Sequence, residues 1–344
     1  MAKHKDKEED VVVEYDITSE LIKKYGKGTV ITADFILDRP KKIHSLSPIL
    51  DIALSGGVPE GCSLLCSGKA KTGKSTLSLK YAANCQKDGR RVFYIDVEGR
   101  IQGNQKLLKC ISGLDTSKLE IISSTREKIF NAAEFLTIAE DIAKNVPRAV
   151  IIIDSASALC DASERTEELT ANARVKGPKL LAAFSRRISN IIPVNNINIF
   201  TIQHMIANTS GYGSPFMEDG GNKIVYGADI KIRAKNFSDW KSTDGTLIGQ
   251  SVKWQVEFSA LGAPGAEIEG YIRYGHGIDE VWELITLGID LNLIEKGGAW
   301  FNPIFLSKRG KEFVKINGQE NVWNLFQKNP EYITWLAEDI KELL

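Results

Sequence analysis

Residues Gly68 to Ser75 read G-K-A-K-T-G-K-S, between a short apolar run from Cys62 to Cys66 and a helix-like run from Thr76 to Gln86. Few folds satisfy that order, because the loop must turn tightly enough to set the start of a helix over the end of a strand. Gly68 and Gly73 can take backbone conformations that a side chain forbids. Successive N–H groups then converge at a helix N-terminus, where the macrodipole favours an anion. Lys74 adds a point charge and the Ser75 hydroxyl suits a Mg²⁺ ion. Gly68, Lys69, Ala70, Lys71, Thr72, Gly73, Lys74, Ser75 and Thr76 therefore predict a cradle for the phosphates of a nucleoside triphosphate.

From about Leu46 onward, apolar runs alternate with amphipathic stretches: Ser63 to Cys66, Val92 to Val97, Leu119 to Ser123, Val150 to Ile153, and Ile197 to Ile202. The runs are mostly β-branched and continuously apolar, as in strands buried on both faces, and the alternation with helices predicts parallel β-α-β units. With 344 residues, 43% of them hydrophobic, the chain can bury a large core. Lys and Arg total 44, as do Asp and Glu, so contact with nucleic acid must come from local patches and not from a global field. Cys62, Cys66, Cys85, Cys110 and Cys160 show no zinc-ligand spacing, no run has membrane-spanning length, and Met1 to Asp10 is too charged for a signal peptide. These features lead us to expect an intracellular, cytoplasmic protein with no membrane partner.

At the N-terminus, Asp16 or Thr18 can cap a short helix carrying Leu21, Ile22 and Tyr25 on one face, ended by Gly26 and Gly28 before an extended segment, Thr29 to Ile31. After about Gly277 come short helices with Trp282, Trp300, Trp323 and Trp335 and a turn-rich basic stretch, Ser307 to Gly318. The expected organisation is an arm over 1–42, a nucleotide-binding core over 43–278 and a small α/β domain over 279–344.

Two further strands end in carboxylates. V-I-I-I-D-S, Val150 to Ser155, puts Asp154 at the sheet edge beside the phosphate loop, where it can hold a metal-bound water. Y-I-D-V-E-G, Tyr94 to Gly99, puts Glu98 just past a strand end, where a base can polarise an attacking water. A strand-end acid can also simply open a loop, but Lys74, Ser75 and Asp154 in the same chain favour the catalytic reading.

Along nearly its whole length the chain resembles the RecA strand-exchange recombinases, including their phage UvsX branch. L-I-K-K-Y-G-K-G-T-V-I (Leu21 to Ile31) resembles the family's protomer-docking segment. L-D-I-A-L-S-G-G-V-P-E-G (Leu50 to Gly61) is similar to its lead-in to the phosphate loop. G-G-N (Gly220 to Asn222) looks like the end of its second DNA-binding loop. L-I-E-K-G-G-A-W (Leu293 to Trp300) and K-N-P-E (Lys328 to Glu331) resemble its C-terminal domain. The resemblance implies a RecA-type α/β ATPase core that uses ATP and Mg²⁺, forms helical filaments on single-stranded DNA and pairs the strand with homologous duplex DNA, with room for mediator proteins. By position it implies Lys74 and Ser75 on phosphates and Mg²⁺, Asp154 on the metal, Glu98 as water activator and His204 as γ-phosphate sensor. Tyr274 would reach a neighbour's nucleotide. Arg174, Lys179, Arg186, Tyr212, Gly220, Gly221 and Asn222 would face DNA, and the loop from Met205 to Asp219, with Tyr212 and Phe216, would stay out of the sheet.

Departures accompany the resemblance. The family's two interface lysines fall at Phe258 and Ala260, so turnover is expected to be slow unless Lys253 or Lys231 supplies charge across an interface. Gln105 and Gln102 replace the residues that stack on and read the base. Two other readings share this core: a weakly hydrolysing paralogue that co-polymerises with an active recombinase, and a ring-forming DNA motor.

Overall fold

The computed structural model describes residues 16–159, 177–208, 215–219, 227–311 and 314–343, and the chain divides into two compact units at Lys42. The first unit holds helices α1 (Ile17–Tyr25) and α2 (Ala33–Leu37), and none of its described residues is buried. Asp16 caps α1, its carboxylate accepting from the Ser19 amide at 3.1 Å, and the Thr32 hydroxyl caps α2. The extended segment expected over Thr29 to Ile31 forms no strand. Among the described residues of this unit it has no neighbouring strand to pair with, and the Thr29 amide and hydroxyl both turn back onto the Gly26 carbonyl.

The second unit begins with β1 (Ile43–His44), α3 (Pro48–Ala53) and β2 (Val58–Pro59), followed by β3 (Ser63–Gly68), α4 (Lys74–Lys87), β4 (Val92–Asp96), α5 (Arg100–Gly103), α6 (Gln105–Lys109) and β5 (Leu119–Ser123). It continues through α7 (Ala132–Asn145), β6 (Val150–Asp154), α8 (Gly177–Ile188), α9 (Ile191–Val194), β7 (Asn198–Ala207), β8 (Phe216–Glu218), β9 (Ile230–Lys241), β10 (Leu247–Ser259), β11 (Glu267–Arg273) and β12 (Gly277–Ile278). The remainder is α10 (Glu280–Asp290), β13 (Glu295–Gly297), β14 (Trp300–Asn302), β15 (Ile316–Asn317), α11 (Gln319–Lys328) and α12 (Pro330–Leu343).

The main sheet runs β12-β11-β10-β9-β3-β7-β6-β4-β5, parallel from β9 to β5 and antiparallel from β9 to β12. The pleat explains why its central strands are apolar throughout. Leu64, Cys66, Val92, Tyr94, Val150 and Ile152 point into one cluster with α4, while Leu65, Phe93, Ile95, Ile151 and Ile153 point into the other with α7 and α8. The parallel strands thus deliver their C-terminal ends to a single edge, the edge where β3 runs into α4. β8 pairs antiparallel with the end of β7, Ala207 opposite Phe216 and Met205 opposite Glu218, so part of the stretch expected to stay out of the sheet joins it.

A third apolar cluster joins α10, α11 and α12 to Ile49 of α3, and the β13-β14-β15 sheet covers one side through Phe301. Glu283 on α10 is buried in this region, accepting from the amides of Tyr271 at 3.2 Å and Ile49 at 3.4 Å. Burial pushes its carboxyl up to about 8 from an ordinary 4.5. The folded state therefore holds this proton more tightly than the unfolded chain does. Its stabilising contribution is complete below about pH 4.5 and is lost as pH rises through about 8. Between about pH 5 and about pH 9, wild type should lose on the order of 1–4 kcal/mol relative to Glu283→Gln, which cannot ionise. Urea melts of both proteins at the two pH values check this, and equal pH slopes would contradict it.

Candidate functional site

The phosphate loop is shaped by two close approaches. Gly73 caps α4 at φ +85°, and a Cβ there would lie 2.1 Å from Ile272 Cδ1, while a Cβ on Gly68 would lie 2.8 Å from the Ala234 carbonyl oxygen of β9. Because no side chain caps the start of α4, its first amides are left for an incoming acceptor. Lys74 is buried, and its ammonium donates to the carbonyls of Gly68 at 2.9 Å and Lys69 at 2.6 Å. Desolvation depresses its pKa. Thr72 is buried as well, its hydroxyl donating to the Lys69 carbonyl, while Lys69, Ala70 and Lys71 are exposed.

The sheet register brings the other groups to this loop. Asp96 of β4 lies opposite Asp154 of β6, and His204 of β7 lies opposite Gly68 of β3. Asp154 Oδ2 accepts from the Ser75 hydroxyl at 2.6 Å and from the Tyr94 hydroxyl at 2.5 Å. Asp96 accepts from the amides of Arg100 and Ile101, so it braces the turn into α5 and does not face the site, and burial raises its pKa. Glu98 Oε1 accepts from His204 Nε2 at 2.8 Å and from the Ser155 hydroxyl at 2.6 Å, and Oε2 pairs with Arg100. The His204 hydrogen bond, aided by Ser155 and Arg100, holds the Glu98 carboxyl down at about 2 against the opposing effect of burial. It is therefore fully ionised at neutral pH.

A cavity of about 380 Å³ opens on this edge, lined by Lys71 to Thr76, Arg100, Asp154, His204 and Tyr274 among others. Tyr274 is more than half exposed on the rim. Gln102 donates to the Ser123 hydroxyl, and neither it nor the exposed Gln105 lines the cavity. Asn104, Lys106, Leu107 and Cys110 line that side instead. The arrangement can seat a phosphate chain on α4, offer hard oxygen donors from Ser75 and Asp154 to a divalent cation, and present the Glu98 carboxylate beside His204. Tyr94, Ser155 and Arg100 join this site without having been singled out in the sequence. Only the face alternation of β4 marked Tyr94, because it shares a pleat side with Cys66 of β3.

The candidate DNA-facing residues divide. Lys179 and Arg186 are exposed on α8, beside Arg187, which is also exposed and pairs with Glu140 at 2.8 Å. Arg174, Tyr212, Gly220, Gly221 and Asn222, with Cys160, lie outside the described residues. Lys231 cannot act across an interface as expected. It is buried at 5% exposure between Glu218 and Glu257, to which Arg233 also pairs. Lys253 is exposed and pairs with Glu267 at 2.5 Å. Among the described residues no helix is long and apolar enough to cross a membrane.

The RecA N-terminal domain family matches residues 14–279 of the chain. Three proteins, each named "Protein RecA", align over nearly its full length. That of Campylobacter lari is 30% identical over 94% of this chain and 90% of its own. That of Geobacter metallireducens is 29% identical over 94% and 92%, and that of Wigglesworthia glossinidia brevipalpis 28% identical over 93% of each.

The hydrogen bond to Glu98 can be isolated. In His204→Phe the largest cause of the low Glu98 pKa is gone, so the carboxyl should titrate about one unit or more above its wild-type midpoint. Carboxyl-labelled NMR across the acid range reads this directly, and an unmoved Glu98 resonance would contradict the assignment.

Proposed function

The chain belongs to the RecA family, and from that membership together with the site geometry we infer that it is a DNA-dependent ATPase that carries out ATP-dependent homologous recombination and strand exchange. The observation that supports the coupling of its two activities is the 2.8 Å bond between Glu98 and His204. It joins the carboxylate beside the phosphate cradle to the strand that leads out of the site toward β8. A change in what Glu98 faces therefore reaches β7 and β8 through one contact.

In this reading Lys74 leaves its carbonyl partners for the phosphates of ATP, the amides of α4 hold the same oxygens, and Glu98 orients the attacking water as an ionised acceptor. The Ser75 and Asp154 oxygens fit Mg²⁺, which when bound supplies charge neutralisation to the phosphates. Tyr274, on the cavity rim, reaches a neighbouring protomer's nucleotide in a filament. Lys179 and Arg186, with Arg174, Tyr212 and the Gly220-Gly221-Asn222 segment, contact DNA. The unit ending at Lys42 docks on the next protomer, because its Phe35, Ile36 and Leu37 are 43%, 59% and 74% exposed and that unit buries none of them. The core extends over 43–278 and the small C-terminal domain over 279–344, and the protein works in the cytoplasm. Turnover is slow, since Phe258 and Ala260 carry no charge, Lys231 faces inward, and Lys253 alone remains to reach across an interface.

ATP hydrolysis with and without single-stranded DNA, with negative-stain microscopy of the same samples, tests this reading; no stimulation and no filaments would overturn it. Lys74→Ala should abolish ATP-dependent tight DNA binding. Glu98→Gln should keep ATP binding but lower kcat about 10²–10⁴-fold, leaving longer-lived filaments. Deleting residues 1–42 should leave a folded protein whose DNA binding is no longer cooperative, as seen in the Hill slope of a titration.

A further inference from the structure

Lys69 belongs to the phosphate loop and Phe216 to the strand that returns from the second loop, yet the Lys69 ammonium lies 3.8 Å from the centre of the Phe216 ring. The two ends of this contact are held very differently. The Lys69 backbone is pinned, its carbonyl accepting from Lys74 at 2.6 Å and from Thr72 at 2.9 Å, while its side chain is exposed and makes no ion pair among the described residues. Phe216 is fixed by β8, which pairs with β7 at Ala207 and is anchored below by the Asp219 amide on the His204 carbonyl and by Gln203 on the Asp219 carbonyl. The cation can therefore swing on a rigid loop, whereas the half-exposed ring stays where the sheet puts it.

We propose that Lys69 and Phe216 form a latch in which one aromatic face is occupied by the lysine when no nucleotide is bound and by a DNA base when a triphosphate has drawn the lysine away. The inference rests on the reading of β8 as the border of a DNA-contacting loop. An aromatic face is attractive to a cation because of its quadrupole and to a base because of stacking, but it accepts one of them at a time. The several negative charges of a triphosphate seated on α4 lie within one loop of Lys69 and outweigh a neutral ring as its partner. Nucleotide arrival then vacates the face that Lys69 holds, and a base stacked on that face leaves Lys69 to the phosphates. The coupling is reciprocal and needs no movement of the sheet.

The latch has an unusual sign. Removing a lysine ordinarily weakens binding to a polyanion. Here Lys69→Met should tighten nucleotide-free binding of a fluorescein-labelled oligo-dT by about two- to fivefold, the equilibrium worth of an exposed cation–ring contact. The gain should vanish when Phe216→Leu is already present, and Lys69→Arg, which restores a cation, should behave as wild type. Phe216→Leu alone should weaken binding about tenfold in the presence of Mg²⁺ and a non-hydrolysable ATP analogue, and much less without nucleotide. Fluorescence anisotropy on the full chain measures all of these. Nucleotide-free affinity that stays level or falls in Lys69→Met, or a gain that persists in the Phe216→Leu background, overturns the latch and leaves the recombinase reading standing. Failure of the wild-type chain to bind the oligonucleotide even with the analogue overturns both.

Discussion

The cation of Lys74 sits inside the protein and makes no ion pair among the described residues; the loop that carries it is folded around that charge. A buried ammonium costs several kcal/mol unless it is compensated, and carbonyl oxygens compensate it only in part. Gly68 and Lys69 turn their carbonyls inward to meet it, and burial holds its pKa below the ordinary lysine range. The site therefore favours an anion before any is present. The surrounding architecture serves that condition. β3 must end at the start of α4, β9 must lie close enough that Gly68 tolerates no side chain, and β6 must end in the acid that engages Ser75.

Charge is handled in the opposite way on the other side of β3. Lys231 and Arg233 on β9 are matched by Glu218 on β8 and Glu257 on β10; Lys231 and Glu218 are buried, Arg233 and Glu257 partly so. Such a group contributes little net stability but strongly penalises any arrangement that separates its members. Its effect is to fix β8 against the sheet, which in turn fixes Phe216 and the carbonyl contacts around His204. The family's cationic positions at Phe258 and Ala260 are neutral, and the nearest cation on the adjoining strand, Lys231, is committed to this internal pairing. Lys231, the cation nearest those positions, lies opposite Phe258 on β10 and pairs inward with Glu218 and Glu257.

How much was legible follows from how local each signal is. The central strands β3, β4, β6 and β7 were readable because burial on both faces makes their runs almost wholly apolar, and the cradle was readable because its glycines, lysine and serine are contiguous. β9 and β10 were not readable as a hairpin, since bulges near Leu247, Lys253 and Val256 break the regular alternation that would have paired them. β8 is three residues in a stretch rich in Gly, Ser and Asn, and only its partner strand makes it one. Tyr94, Ser155 and Arg100 reach the site through sheet register and a turn, and neither is marked by residue type. Glu98 and His204 could each be nominated, but their separation by 106 positions hid the bond between them.

That bond reaches β7 through His204 and the Lys69–Phe216 contact reaches its partner strand β8, and their difference in strength assigns them different work. A hydrogen bond to a carboxylate in a partly buried site is worth about 1.5–3 kcal/mol, whereas an exposed cation–ring contact is worth about 0.5–1 kcal/mol. The first is strong enough to hold β7 in a single geometry and to keep Glu98 ionised. The second is weak enough to be exchanged at each nucleotide cycle. A coupling of that size shifts one protomer's equilibrium only a few-fold. In the proposed filament each DNA strand would bridge many protomers, so the same shift would act at every site the strand touches and multiply. A weak switch repeated along a polymer can therefore command release of a strand that no single protomer could free, provided the sheet that carries Phe216 does not itself give way, which is the condition that the buried charges around Lys231 secure.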